Sequence, residues 1–325
     1  MSAAPGPAIM WSTDLAGGQS MGAHRQHGRH RAGTRTSAVF AALAVVLVGV
    51  MGATLASAPG ATALSRIKCK QTTGTGMVDP IVYHNLPVGS GHLHQFFGNN
   101  TFLSLPSPNA ANYADLMGKG TNCRNPADTA GYWNPALQNM MTGAVVPAVA
   151  FTAYYRSWNS QKTGEGVALP PDVRLIATRY DWTCGQRERV APSSSIPDCS
   201  MADGRSGSRL TAHINYPSCW DGVLPRHLTT AVGNTNDNAH FAYRLDNRNC
   251  PPGFPVKTVE LRMTIQYQYT GKGADLMLSS DHMANTTDGR SMHADFWNTW
   301  VQAGFVTMVH DCINPGQNRT KAVCG

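Results

Sequence analysis

Eight cysteines, Cys69, Cys123, Cys184, Cys199, Cys219, Cys250, Cys312 and Cys324, all lie beyond an apolar segment near the N-terminus, and this placement constrains the chain most. Arg25, Arg29, Arg31 and Arg35 precede a run of apolar and small residues from 38 to about 58, the order of an export signal. Two small-residue cleavage sites follow. Pro59 disfavours the one ending at Ala58, so cleavage is expected after Ala61-Thr62-Ala63, and residues 1–63 are set apart from the fold as a signal peptide. The alternative is an uncleaved membrane anchor, since about 20 apolar residues span a bilayer; Gly49, Gly52, Thr54 and Ser57 weaken the run in that role. Either way, residues 64–325 are expected to be secreted or to face outside the cell, where an even number of cysteines reads as disulfides. No Cys-x-x-Cys pair occurs, which argues against structural zinc. Short loops favour Cys184 with Cys199 and Cys312 with Cys324, leaving Cys69 with Cys123 and Cys219 with Cys250.

The remaining 64–325 stretch is long enough for one large core, and no Ser/Pro/Gly linker divides it. Proline and glycine punctuate it densely, while long helical periods are scarce. The clearest strand is 259–269, which alternates apolar and polar residues; 145–155, 173–178 and 305–310 are further strand candidates, and 110–117 and 294–302 are the best helices. The pattern predicts a mainly β single domain, an antiparallel sandwich or jelly roll with long loops and few short helices. The loop 185–207, rich in Ser, Pro and Arg, carries no readable function.

The formal charge is +7, and removing Arg25, Arg29, Arg31, Arg35 and Asp14 with the leader reduces it to +4. A weak positive charge without a Lys/Arg block argues against nucleic acid as the partner. It suits an extracellular polysaccharide or an acidic wall surface, though solubility alone explains it equally well. Membrane contact is expected only through the N-terminal segment, and a monomer is expected.

Histidines at two-residue spacing beside aromatics carry the strongest chemical signal. In Ser90-Gly91-His92-Leu93-His94-Gln95-Phe96-Phe97-Gly98-Asn99 the two imidazoles share one side of an extended chain, as do His293 and Asp295 in His293-Ala294-Asp295-Phe296-Trp297. Such pairs could hold zinc or copper once a third ligand converges, or divide proton transfers on a bound sugar. The bland alternative is a buried hydrogen-bonded network. If 293–295 were helical, only one of its two polar groups could enter a cleft. Single histidines such as His84, His213 and His310 read as structural. His240 follows Asp237 at three residues, a third acid and imidazole pairing.

Tyr216-Pro217-Ser218-Cys219-Trp220-Asp221-Gly222 sets an aromatic and a carboxylate at a turn, as a sugar-stacking platform would, or as a turn cap against a disulfide. Asp128, Tyr132, Trp133, Tyr154, Tyr155 and Arg156 offer a similar mixture. No Gly-x-Ser-x-Gly elbow, phosphate-binding loop or His-Glu-x-x-His helix occurs, which removes most support for serine hydrolase, nucleotide-binding and zincin readings.

Several stretches together resemble the secreted DUF1996 family, which occurs in fungi, sometimes joined to cysteine-rich WSC modules, and in actinobacteria. They are Asp79-Pro80-Ile81-Val82, the His92-x-His94-x-Phe96-Phe97-Gly98-Asn99 segment, Tyr132-Trp133-x-Pro135, Tyr154-Tyr155-Arg156, Pro217-Ser218-Cys219-Trp220-Asp221-Gly222, His240-x-x-Tyr243, Cys250-Pro251 and His293-Ala294-Asp295-Phe296. The resemblance brings no activity with it, only a wall or polysaccharide setting by association. The chain departs from the family in lacking a WSC module and a further histidine just before His240.

These readings combine into one leading expectation: a secreted β domain that binds and cleaves polysaccharide as a lyase or glycoside hydrolase. His92, His94, His240, His293 and Asp295 would be catalytic, and Tyr154, Arg156, Trp220 and Asp221 would contact substrate. The alternatives are a non-catalytic wall-binding or structural module, and a metal-binding protein with zinc or copper on His92, His94 and His293.

Overall fold

A computed structural model describes residues 64–157, 166–185, 192–200, 208–227, 231–314 and Cys324. The expected leader and much of the 185–207 loop lie outside the described residues. The strands are β1 (Leu64–Cys69), β2 (Gly74–Gly76), β3 (His94–Gly98), β4 (Gly131–Pro135), β5 (Leu137–Asn139), β6 (Ala148–Arg156), β7 (Arg174–Ala177) and β8 (Arg179–Cys184). They continue as β9 (Leu210–Asn215), β10 (Cys219–Trp220), β11 (Phe241–Ala242), β12 (Val256–Lys257), β13 (Glu260–Tyr267), β14 (Leu276–Leu278) and β15 (Ala294–Trp297).

Two five-stranded sheets dominate, with strand orders β1-β6-β13-β9-β8 and β2-β3-β4-β15-β7. Their neighbouring strands are all antiparallel. Small sheets of β11-β10-β12 and β14-β5 flank them. On β13 the alternation predicted from sequence is realised: Leu261, Met263, Ile265 and Tyr267 are fully buried, while Arg262 and Gln266 are half-exposed. The inner faces of the large sheets meet through Phe97 stacked on Phe151 at 4.5 Å, Tyr132 against Phe151 at 5.1 Å and Tyr216 against Phe296 at 6.0 Å. The fold is thus a mainly β, antiparallel sandwich with long loops and few short helices.

The second sheet is also covered on its outer face. Phe96, Trp133 and Trp297 point away from the main core and pack under Val78, Ile81, Phe102, Ala111 and Leu116, which belong to the loops after β2 and β3. Phe96 and Phe97 therefore serve different cores, because adjacent strand residues face opposite ways. Gly98 has φ +77, and a Cβ there would meet the Ala130 carbonyl at 2.3 Å, so the chain leaves β3 through a position open only to glycine.

Two predicted elements are reversed. Residues 294–302 begin not as a helix but as β15, whose four residues are all buried; a short apolar run buried on both faces has no period to read. Residues 305–310 are not a strand: they lie in α2 (Gln302–Met308) and the π-helical turn Val309–Ile313. Phe305, Met308, Val309, Cys312 and Ile313 are buried at helical spacing, a period hidden within six residues but plain over nine. The predicted 110–117 helix shrinks to α1 (Tyr113–Leu116), capped by Asn112 and Asp115 in a reciprocal capping box.

Asp128, Tyr132 and Tyr155 form an internal polar seam rather than a sugar-facing surface. Tyr132 donates to Asp128 at 2.9 Å, its hydroxyl meets that of Tyr155 at 2.7 Å, and Trp300 donates to Tyr155 at 3.1 Å. Burial raises the Asp128 carboxyl to about 8, so it is a neutral structural group at pH 7. The four disulfides are Cys184–Cys199 and Cys312–Cys324, the two favoured by short loops, and Cys69–Cys123 and Cys219–Cys250, the pairs left over. They fit an extracellular protein, and among the described residues no helix is long and apolar enough to cross a membrane.

Phe151 joins the two sheets by contacts with both Phe97 and Tyr132. Its replacement by Ala is expected to cost about 3–5 kcal/mol in denaturant unfolding, against less than about 0.5 kcal/mol for exposed Val306→Ala.

Candidate functional site

β3 and β15 both run antiparallel to the β4 strand between them, so both start at the same end of the sheet. His92 and His94 occupy the start of β3, and His293 and Asp295 the start of β15. The two pairs, about 200 residues apart in sequence, thereby converge on the outer face of the sheet. Ring centroids are 4.2 Å apart for His92 and His94, 5.2 Å for His92 and His293, and 6.1 Å for His94 and His293. His293 Nε2 lies 3.9 Å from Asp295 Oδ2. The fold thus brings these four residues together in one place.

Backbone carbonyls orient two of the rings. His94 Nδ1 is 3.0 Å from the Val78 carbonyl, and His293 Nδ1 is 2.9 Å from the Ser291 carbonyl. A carbonyl only accepts, so each Nδ1 carries its proton and each neutral ring presents a bare Nε2. Ser291 is itself held by Asp281, to which its hydroxyl donates at 2.6 Å. The backbone at Gly91 lies against the Tyr83 ring, 2.5 Å from where a Cβ would stand, which packs the chain just before His92 beneath that tyrosine.

The electrostatics follow from burial. Burial, with His293 nearby, lowers the His92 imidazole to about 4. Burial and the two neighbouring histidines hold His94 well below its ordinary range, and burial lowers His293. Burial and then Asp79 push the Asp295 carboxyl well above the usual carboxylate range. Asp79 is raised by burial to about 6, although the Ile81 and Val82 amides donate to it at 3.0 Å. Burial thus favours the neutral form of all three imidazoles and of the Asp295 carboxyl. His92 Nε2, His94 Nε2 and both Asp295 oxygens are buried without a hydrogen-bond partner. Leaving such atoms unpaired costs about 1–3 kcal/mol each, so their concentration in one place singles the cluster out as the candidate site.

His92 and His293 line an open cleft of about 430 Å³, walled by Asp79, Tyr83, Ile176, Tyr180 and Arg290, while His94 and Asp295 are fully buried and do not line it. Tyr83, Tyr180 and Arg290 carried no signal in the sequence, and Asp79 stood out only within its family-like stretch; their placement depends on loop packing. A second cleft of about 330 Å³ is lined by His84, Tyr113, Asp172, Arg174 and His227. There His227 Nε2 meets Asp237 at 3.0 Å and Arg174 donates to Thr235 at 2.8 Å, while His84 Nδ1 and Arg174 Nε are buried without a partner. His84, read from sequence as structural, therefore borders a cleft.

The other sequence candidates lie elsewhere. His240 meets Asp221 at 2.8 Å beside the small β11-β10-β12 sheet and does not line the histidine cleft. Its partner is nineteen residues upstream rather than Asp237, because Asp237 is taken by Arg174 and His227. Trp220 stacks on Phe241 at 6.3 Å and donates to the Val223 carbonyl, while Asp221 accepts from the Val223 amide as a turn cap. Tyr154 and Arg156 sit on β6 of the first sheet, where Arg66 covers the Tyr154 ring at 5.5 Å and Arg156 pairs with Glu260 at 2.8 Å. None of these four lines the cleft over the histidines.

Comparison with protein families finds one match, described as "Domain of unknown function (DUF1996)", over residues 79–300. The chain belongs to this family. The matched stretch starts at Asp79 and contains His92, His94, His293 and Asp295, so the whole cluster lies within the DUF1996 domain. No curated protein and no solved structure matches the chain.

Two pH effects on stability follow. His92 has a folded-state value of about 4, below the 6.5 of the unfolded chain, so its contribution is full above 6.5 and lost as pH falls toward 4. His92→Gln is expected to flatten that limb of the stability curve in denaturant unfolding. Asp295 is shifted the other way, so its contribution is full below 3.8 and lost as pH rises through the folded-state value. Asp295→Asn is expected to weaken the decline in stability as pH rises above 3.8, and an unchanged slope would refute the raised carboxyl.

Proposed function

We propose that this is an exported domain that binds an extracellular polysaccharide in the cleft above His92 and His293 and cleaves it with the His92, His94, His293 and Asp295 cluster. The observation that carries this reading is that His92 and His293, the partly exposed members of the cluster, line an open cleft with the buried His94 and Asp295 beside them. Tyr83 and Tyr180 supply aromatic walls and Arg290 a cation beside them, a mixture suited to sugar rings and hydroxyls. Asp79, on the same wall, adds a carboxylate within the cleft.

A polymer is favoured over a small molecule by the second cleft. Arg174 and Ile176 share one face of β7, roughly 6–7 Å apart along the strand, yet line different clefts. The segment that brings Tyr83 to the first cleft brings His84 to the second. A ligand lying along β7 would meet both. The four disulfides and the export signal expected in residues 1–63 agree with a substrate outside the cell.

The purified protein is expected to release oligosaccharides from at least one member of a panel of wall and matrix polysaccharides, read by mass analysis. Hydrated ends identify a hydrolase and unsaturated ends a lyase. His92→Ala and Asp79→Asn are expected to lower release at least about 100-fold while leaving the thermal transition in place. Retained binding without release from any polymer would instead make the domain a non-catalytic wall-binding module.

A further inference from the structure

We infer that His92, His94 and His293 form the binding site of a divalent transition metal of the zinc or copper class, with Asp295 beside it. The inference deepens the reading of the same cleft and depends on it only for what the metal acts upon.

Ligand geometry comes first. One donor atom from each of the three histidines lies within 4.8 Å of the others. Bonds of about 2.0–2.1 Å place ligands within roughly 4.2 Å of each other, so closure needs small ring rotations rather than backbone movement. Ring orientation is the second argument. A metal-ligating imidazole usually donates its other N–H to a carbonyl or carboxylate, which fixes the tautomer; His94 does this to Val78 and His293 to Ser291. Their Nε2 atoms are left as bare lone pairs.

The unpartnered atoms make the third argument. Nε2 of both His92 and His94 is buried without a hydrogen-bond partner, and so are both oxygens of the fully buried Asp295. No side chain in the cluster can donate to all of them, whereas one cation satisfies the imidazoles together and supplies the positive charge a buried Asp295 carboxylate would need. His92 and His293 are only partly buried and face the 430 Å³ cleft, so three protein ligands would leave a coordination position open to solvent or substrate, the pattern of catalytic rather than structural sites. Imidazole ligands favour zinc or copper over the oxygen-preferring magnesium and calcium. Among the described residues the other grouping with metal-like spacing is Cys69, Cys123 and Asp128, whose sulfurs are joined in a disulfide.

The test uses the full chain, exported by its own leader, purified, stripped with a chelator and titrated with zinc or copper by calorimetry, with elemental analysis of the loaded protein. One equivalent per chain is expected, with a metal-dependent rise in melting temperature. Cobalt substitution should give the visible bands of an imidazole-bound ion, or copper the nitrogen hyperfine pattern of bound imidazoles. His92→Ala and His293→Gln, both at partly exposed positions, are expected to weaken binding at least about 100-fold while melting as folded proteins. His240→Ala, in a different acid and imidazole pair, is expected to bind normally. Metal bound no better by the parent than by the His92→Ala, His293→Gln double variant overturns the proposal. Polysaccharide release that survives complete chelation also overturns it and leaves the cleavage reading intact. Stoichiometric metal loading with no release from any polymer supports the metal site and removes the cleavage reading.

Discussion

Phe96 and Phe97 are neighbours in sequence that serve opposite cores, and the sheet carrying them is covered on both faces. One face meets the other large sheet through Phe97, Tyr132 and Phe296; the outer face lies under loops anchored by Val78, Ile81, Phe102 and Leu116. The strands β3, β4 and β15 of that second sheet are therefore buried on both sides. Polar groups set on its outer face are desolvated, which is why His94 and Asp295 are fully buried and their ionisation is displaced.

Strand direction then decides which polar groups meet. With β4 between β3 and β15 and antiparallel to both, the strand starts lie at one end of the sheet. Two-residue spacing at each start aims two groups at the same face, giving three imidazoles and a carboxyl from only two short segments. Carbonyls from neighbouring loops set the tautomers, and the loops after β2 leave a cleft above. The site is a product of sheet topology and loop cover together, with a rigid scaffold below and adaptable walls above.

The acid and imidazole pairs of the molecule divide by environment. His240 and Asp221, partly exposed beside the small sheet, satisfy each other. His227 and Asp237 also pair, and Asp237 additionally accepts from the Arg174 amide. In the histidine cluster the polar atoms do not satisfy one another: Nε2 of His92 and of His94 and both Asp295 oxygens have no hydrogen-bond partner. That difference separates a self-sufficient pair from a cluster with unmatched polar atoms.

Some of this was legible in the sequence because it depends on local rules. Alternation in 259–269 gave β13, short loops pointed to two of the four disulfides, and two-residue spacing put His92 with His94 and His293 with Asp295. Where a short segment had no readable period, as at 294–302, or was read through too narrow a window, as at 305–310, the element type came out reversed. The sequence by itself determined a cysteine-rich, mainly antiparallel β fold and the two polar pairs. Only the tertiary structure decided that those pairs meet, that His240, Trp220, Tyr154 and Arg156 lie apart from them, and that Asp79, Tyr83, Tyr180 and Arg290 wall the cleft. Spacing fixes which side of a strand a residue faces, but strand order and loop packing, set by contacts between residues far apart in the chain, fix what that side confronts.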